Sequence, residues 1–192
     1  MLVACLEYEP TDVLGMLYHR LEIHNEQSGQ FFTPYPVCQA IAKMLVHDAK
    51  PLGEKQEFIR AHEPCVGSGA MVIALAHALR EEGINYQHKL HVTAIDIDTV
   101  AVHMAYVQCT LLHIPALICH GDTLRGEVYS QWRTFAHTLG FWDAKLARDH
   151  RSRPAPEKNP PVAGTPIPPP HVSPAPYTSN GTPTHREQLT LF

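Results

Sequence analysis

Three short stretches carry residue types that could act together on one small ligand. In EPCVGSGA, at 63–70, Gly67 and Gly69 let the backbone turn sharply and let a ligand approach the main chain, with amide N–H groups facing it. In AIDID, at 94–98, Asp96 stands where a carboxylate ending a strand can accept both hydroxyls of a ribose. In GDTL, at 121–124, a carboxylate and a hydroxyl could contact a base edge. Glycine turn, ribose acid and base-reading acid describe an adenosine pocket. No GK[ST] is present to hold a triphosphate and no GxGxxG to hold a dinucleotide, so a small adenosine ligand such as S-adenosylmethionine suits the pattern better. His62 with Cys65, and Cys119 beside His120, come nearest to a metal site, but they do not repeat at zinc spacing and no metal is expected.

The elements that must position these loops follow from periodicity. Thr11 and Asp12 open a helical pattern with apolar residues at Val13, Leu14, Leu17 and Leu21, and a polar break follows at 24–29. In the stretch beginning GQFFTP, Thr33 is a plausible N-cap with Pro34 at the first helical position. Val37, Ile41, Met44 and Leu45 line one face of that helix, and Pro51 and Gly53 end it. Strand and helix then alternate: strand 58–62, glycine turn, helix 71–82, strand 90–95, helix 100–112, strand 115–119. That order predicts a parallel sheet with helical crossovers, whose ligands sit outside the carboxyl ends of the strands. All three loops lie on that edge. After Leu124 the strands are expected to stop. Val128, Trp132, Phe135, Leu139, Trp142 and Leu146 then form a long apolar helical stripe that covers a sheet face, with Gly140 its weak point.

Composition narrows the classes. The chain has 192 residues and a formal net charge of −4, and 11 of its 17 prolines fall in 151–192. About 150 residues remain to fold, as one domain rather than two. The acidic balance excludes a chain that holds nucleic acid by bulk positive charge. Five cysteines, an odd number with no CxxC, argue against a disulfide framework. No membrane-length apolar run and no signal-peptide pattern is evident, which points to a cytoplasmic protein.

GQFFTP at 29–34, EPCVGSGA at 63–70, AIDID at 94–98 and GDTL at 121–124 resemble, in order, the S-adenosylmethionine-binding motifs of N6-adenine DNA methyltransferases. The likeness is greatest to modification subunits of type I restriction systems and spans roughly 25–125. It implies a Rossmann-like α/β methyltransferase fold, truncated after the third strand and preceded by N-terminal helices. By the same resemblance, Phe31, Phe32, Thr33 and Pro34 cradle the methionine end of the cofactor. Glu63, Pro64, Gly67, Ser68 and Gly69 belong to the turn beneath it. Asp96 holds the ribose, Ile97 packs on the adenine and Asp122 reads the adenine amino group. The implied partner is DNA, and the implied reaction is methyl transfer to the exocyclic nitrogen of adenine.

One part of the family pattern is not found. An Asn/Asp-Pro-Pro-aromatic motif ends a fourth strand in these enzymes and positions the target amine on a flipped base. The expected region, about 135–145, reads FAHTLGFWDAK. Asn159-Pro160-Pro161 is followed by Val162, with no strand leading into it, and reads as a coincidence of a proline-rich tail. The catalytic residues are therefore unassigned. No target-recognition domain is visible. The chain reads as a divergent methyltransferase, a relative that no longer catalyses and serves as an adaptor or regulator, or a subunit completed by a second polypeptide.

The tail carries its own signal. Residues 151–184 are too proline-rich to bury a core and read as a disordered tether, after an N-terminal helical segment at 1–28 and a cofactor-binding domain at 29–150. In 185–192, Gln188, Leu189, Leu191 and Phe192 fit the Gln-Leu-x-Leu-Phe pattern of bacterial sliding-clamp-binding peptides. Such a peptide buries its apolar side chains in a groove while the glutamine hydrogen-bonds at the rim. About 30 tether residues at ~3.1 Å each would reach up to roughly 90 Å, enough to keep an acidic domain near DNA. A clamp partner implies a bacterial, phage or plasmid origin.

Overall fold

The computed structural model describes residues 2–3, 6, 10–21, 32–55 and 57–152. Phe31, the break at 24–29, residues 153–184 of the expected tether with Asn159-Pro160-Pro161, and the peptide with Gln188, Leu189, Leu191 and Phe192 lie outside the described residues, while Arg151 and Ser152 of that tether belong to the last helix. The elements in chain order are α1 (Val13–Arg20), α2 (Tyr35–Lys55), β1 (Ile59–Glu63), α3 (Ala70–Glu81), α4 (Tyr86–Lys89), β2 (Leu90–Asp96), α5 (Thr99–Leu111), β3 (Ala116–Asp122), β4 (Glu127–Arg133), α6 (Phe135–Leu139) and α7 (Trp142–Ser152).

The four strands form one sheet in the order β1-β2-β3-β4. β1, β2 and β3 are parallel, with Ala61 opposite Val92 and Val92 opposite Ala116. The expected alternation therefore holds as far as β3, with strand ends displaced by one to three residues. On one face Leu90, Val92 and Ala94 of β2 and Ala116 and Ile118 of β3 are buried, in a core shared with Ile73, Leu79, Val102 and Cys109 from α3 and α5. Such continuous burial on one side suits parallel strands roofed by crossover helices.

Beyond Leu124 the structure departs from the sequence expectation. Residues 127–133, EVYSQWR, form an antiparallel fourth strand against β3, with Ile118 opposite Trp132. Val128, Tyr129 and Trp132 are residue types that favour a pleated strand, and a turn with Gly126 at φ 70° brings it back onto β3. Thr134 then caps α6, its hydroxyl accepting from the His137 N–H, and Phe141 at φ 52° separates α6 from α7. The supposed stripe is thus cut into three elements. Only Trp142 is fully buried; Val128, Phe135 and Leu139 are exposed. Trp142 still covers part of the sheet, edge-on to Phe58 at 5.0 Å and against His91 at 5.2 Å.

The N-terminal helices also differ. α2 runs through Pro51 and Gly53 to Lys55 instead of ending there. Its buried face is Cys38, Ala42 and Val46, and Val37, Ile41, Met44 and Leu45 are exposed. The small residues are selected because they let α2 approach α3 closely. α1 likewise buries Val13 and Gly15 and leaves Leu17 and Leu21 exposed, because it is held by polar bonds at its first turn.

Candidate functional site

The carboxyl ends of the parallel strands are tied together by four hydrogen bonds. The β1–α3 turn is anchored to β2 by the Val66 N–H donating to Ile95 O at 2.9 Å, and the Gly67 N–H donates to Asp96 Oδ2 at 2.7 Å. Asp96 Oδ1 accepts from the Asp98 N–H at 2.9 Å, and Asp98 caps α5 by accepting from Val100 N–H at 2.8 Å. The third loop joins the first through the Thr123 hydroxyl, which donates to Pro64 O at 2.6 Å. It joins the second through His120, whose Nε2 lies 3.1 Å from Ile97 O.

A crevice of about 740 Å3 opens over these ends, within the roughly 300–1,000 Å3 usual for small-molecule sites. Its walls come from Glu63, Gly67, Ser68, Asp96, Ile97 and Asp98 on the loops, with Phe32 and Thr33 before α2 and Tyr18 from α1. The Tyr18 and Phe32 rings lie 5.4 Å apart, tilted by 45°, and a Cβ on Gly67 would stand 3.0 Å from the Phe32 ring. Gly67 also has φ 55°, the left-handed region in which a side chain is disfavoured. The wall holds three carboxylates and no lysine or arginine among the described residues. Two cysteines share it: Cys65 exposed, and Cys38 buried, its thiol pKa raised by burial and by nearby Asp12.

The sequence matches the N-6 DNA Methylase family over residues 10–140. The chain belongs to this family. No curated protein matches it. Of the residues singled out in this N-6 DNA methylase chain, Phe32, Thr33, Glu63, Gly67, Ser68, Asp96 and Ile97 line the crevice together. Gly69, at φ 99°, caps α3 directly beneath. Pro34, Pro64 and Asp122 stand outside the lining residues. The Asp122 carboxylate accepts from the Leu124 and Arg125 N–H groups at 2.9 and 3.1 Å and lies 3.4 Å from the Arg125 guanidinium. It shapes the β3–β4 turn.

Motif reading missed several residues of the site, Cys38, Met71 and Val100 of the crevice lining among them. Tyr18 supplies a wall, His120 ties two loops, and Asp12 and Gln108 lie buried behind the turn. Gln108 had one legible signal, a lone amide at a core position of the apolar helix α5. Asp12 was legible only as a helix cap. No group of His, Cys, Asp and Glu among the described residues could hold a metal ion, and no helix among them is long and apolar enough to cross a membrane.

Proposed function

We propose that the crevice binds S-adenosylmethionine and that the protein acts in N6-methylation of adenine in DNA, on a Rossmann-like methyltransferase fold. The observation that carries this reading is the chemistry of the wall. Glu63, Asp96 and Asp98, with the rings of Tyr18 and Phe32 and no lysine or arginine among the described residues, favour a ligand with positive charge and disfavour nucleotide phosphates. S-adenosylmethionine brings a sulfonium and an ammonium, and when bound it supplies an activated methyl group. Asp96 spends one lone pair of each oxygen on a backbone N–H and keeps others for the ribose hydroxyls. Ile97, 64% exposed, offers an apolar surface to the adenine. The aromatic pair stands where the methionine end would lie, and Gly67 leaves space beside it. Titration calorimetry should detect S-adenosylmethionine and not ATP; equal binding of the two, or no binding of the first, overturns the reading.

A second reading is favoured by what occupies 135–145. Helices α6 and α7 stand there, with no Asn/Asp-Pro-Pro-aromatic motif at a strand end among the described residues. The outer edge of β1 also pairs with no strand among them. A subunit completed by a partner chain, or a relative that kept the fold and lost the chemistry, accounts for both. A tritiated-methyl transfer assay on unmethylated DNA separates these from an active enzyme. Incorporation by the chain alone would exclude both.

A further inference from the structure

Behind the glycine turn lies a buried polar cluster that methyl transfer as described does not use. Asp12, 3% exposed, precedes α1; Gln108, fully buried, sits in the third turn of α5; Ser68 lies between Gly67 and Gly69. The Ser68 hydroxyl donates to Asp12 Oδ2 at 2.5 Å. The Gln108 amide donates to Asp12 Oδ1 and to the Ser68 carbonyl, each at 2.8 Å. The same groups hold the first turn of α1: Gly15 N–H donates to Asp12 Oδ1 at 2.9 Å and Leu14 N–H to Gln108 Oε1 at 3.0 Å. A Cβ on Gly15 would overlap both the Asp12 carboxylate and the Ser68 hydroxyl.

We propose that Asp12 and Gln108 are positioning residues that clamp Ser68 from two helices and hold the Val66–Gly69 turn in its ligand-ready shape. This rests on the crevice being the cofactor site. The physical need is specific. Gly67 and Gly69 both have positive φ, and a turn flanked by two such permissive residues can flip its peptide planes at little steric cost. The clamp holds the carbonyl and the hydroxyl of the residue between them, so it opposes that flip where glycine cannot. It also makes the docking of α1 and the shape of the turn one set of bonds. α1 brings Tyr18 to the crevice wall, so wall and turn form together.

The test measures amide exchange in the ligand-free protein at Gly67 and Gly69, whose N–H groups bond Asp96 and Val66 O, with the β3 amides beyond Ala116, whose own N–H bonds Thr134, as reference. Calorimetry with S-adenosylmethionine accompanies it. Asp12→Ala and Gln108→Ala should speed exchange at the turn at least tenfold relative to β3 and weaken binding at least tenfold. Asp12→Asn should restore both to within about threefold, because its amide can donate to the Ser68 hydroxyl, which rotates to accept, while Oδ1 keeps its donors. Thr134→Ala breaks a buried network at the opposite end of β3, where the hydroxyl bonds Ile114 O and Ala116 N, and should leave the turn unchanged. Unchanged exchange in Asp12→Ala, or equal opening in Thr134→Ala, overturns the proposal. If wild type binds no S-adenosylmethionine, the cofactor reading fails by itself, and exchange still decides whether the clamp exists.

Discussion

Asp96 does two jobs with one carboxylate: it fixes the Gly67 and Asp98 amides and faces the crevice. Asp96→Ala should therefore weaken S-adenosylmethionine by about 1–3 kcal/mol, the cost of leaving such donors unpaired, or roughly fivefold to 150-fold in Kd by calorimetry. Asp96→Asn keeps one acceptor oxygen and should fall between the two. Gly67→Ala tests shape rather than charge. Its left-handed φ and the nearby Phe32 ring both oppose a methyl group, and the expected loss of stability is about 1–2 kcal/mol in denaturant titration. A neutral result would mean that the turn adopts another conformation in solution.

The α6–α7 pair carries a pH dependence. His91 of β2 is buried against Trp142, and its Nε2 lies 2.9 Å from His137 Nδ1; His137 Nε2 is 3.2 Å from Asp143. Burial, then the neighbouring His137 and Arg60, push the His91 pKa from 6.5 down to about 4. The folded state therefore refuses a proton that the unfolded state accepts below pH 6.5. Stability should fall as pH drops from about 6.5 toward about 4 and lose no more from this group below that. The total is of order 3 kcal/mol. Urea titrations across this window check it, and His91→Gln, which retains a polar atom near Nε2, should flatten the slope by about one proton. An unchanged slope would assign the acid sensitivity elsewhere.

For the whole chain, the acidic domain needs a means of staying near an acidic polymer, and the clamp-like peptide is our proposal for it. Removing residues 188–192 should abolish retention on immobilised sliding clamp while leaving thermal unfolding unchanged. Retention that survives the deletion would discard the tether. Methyl transfer to DNA, assayed with and without clamp, then shows whether recruitment raises the rate through local concentration. That localisation is cytoplasmic belongs to the same proposal.

The glycine turn and the Asp96 loop that line the crevice were legible in the sequence because each depends on local chemistry. Gly67 and Gly69 are required by backbone angles, Asp96 ends a strand, and the parallel alternation from β1 to β3 is written in hydrophobic period. Tertiary structure decided the rest. Val128 to Leu146 fit a helical period, yet pairing with β3 made its first part a strand, because ladder partners distant in sequence outweigh local spacing. The apolar stripe of α2 turned outward because the smaller Cys38, Ala42 and Val46 allow closer packing. Asp12 and Gln108 stand 96 residues apart, and no local pattern announces that they meet. Their contact exists only once α1 and α5 are packed on the same turn, a property of the assembled core.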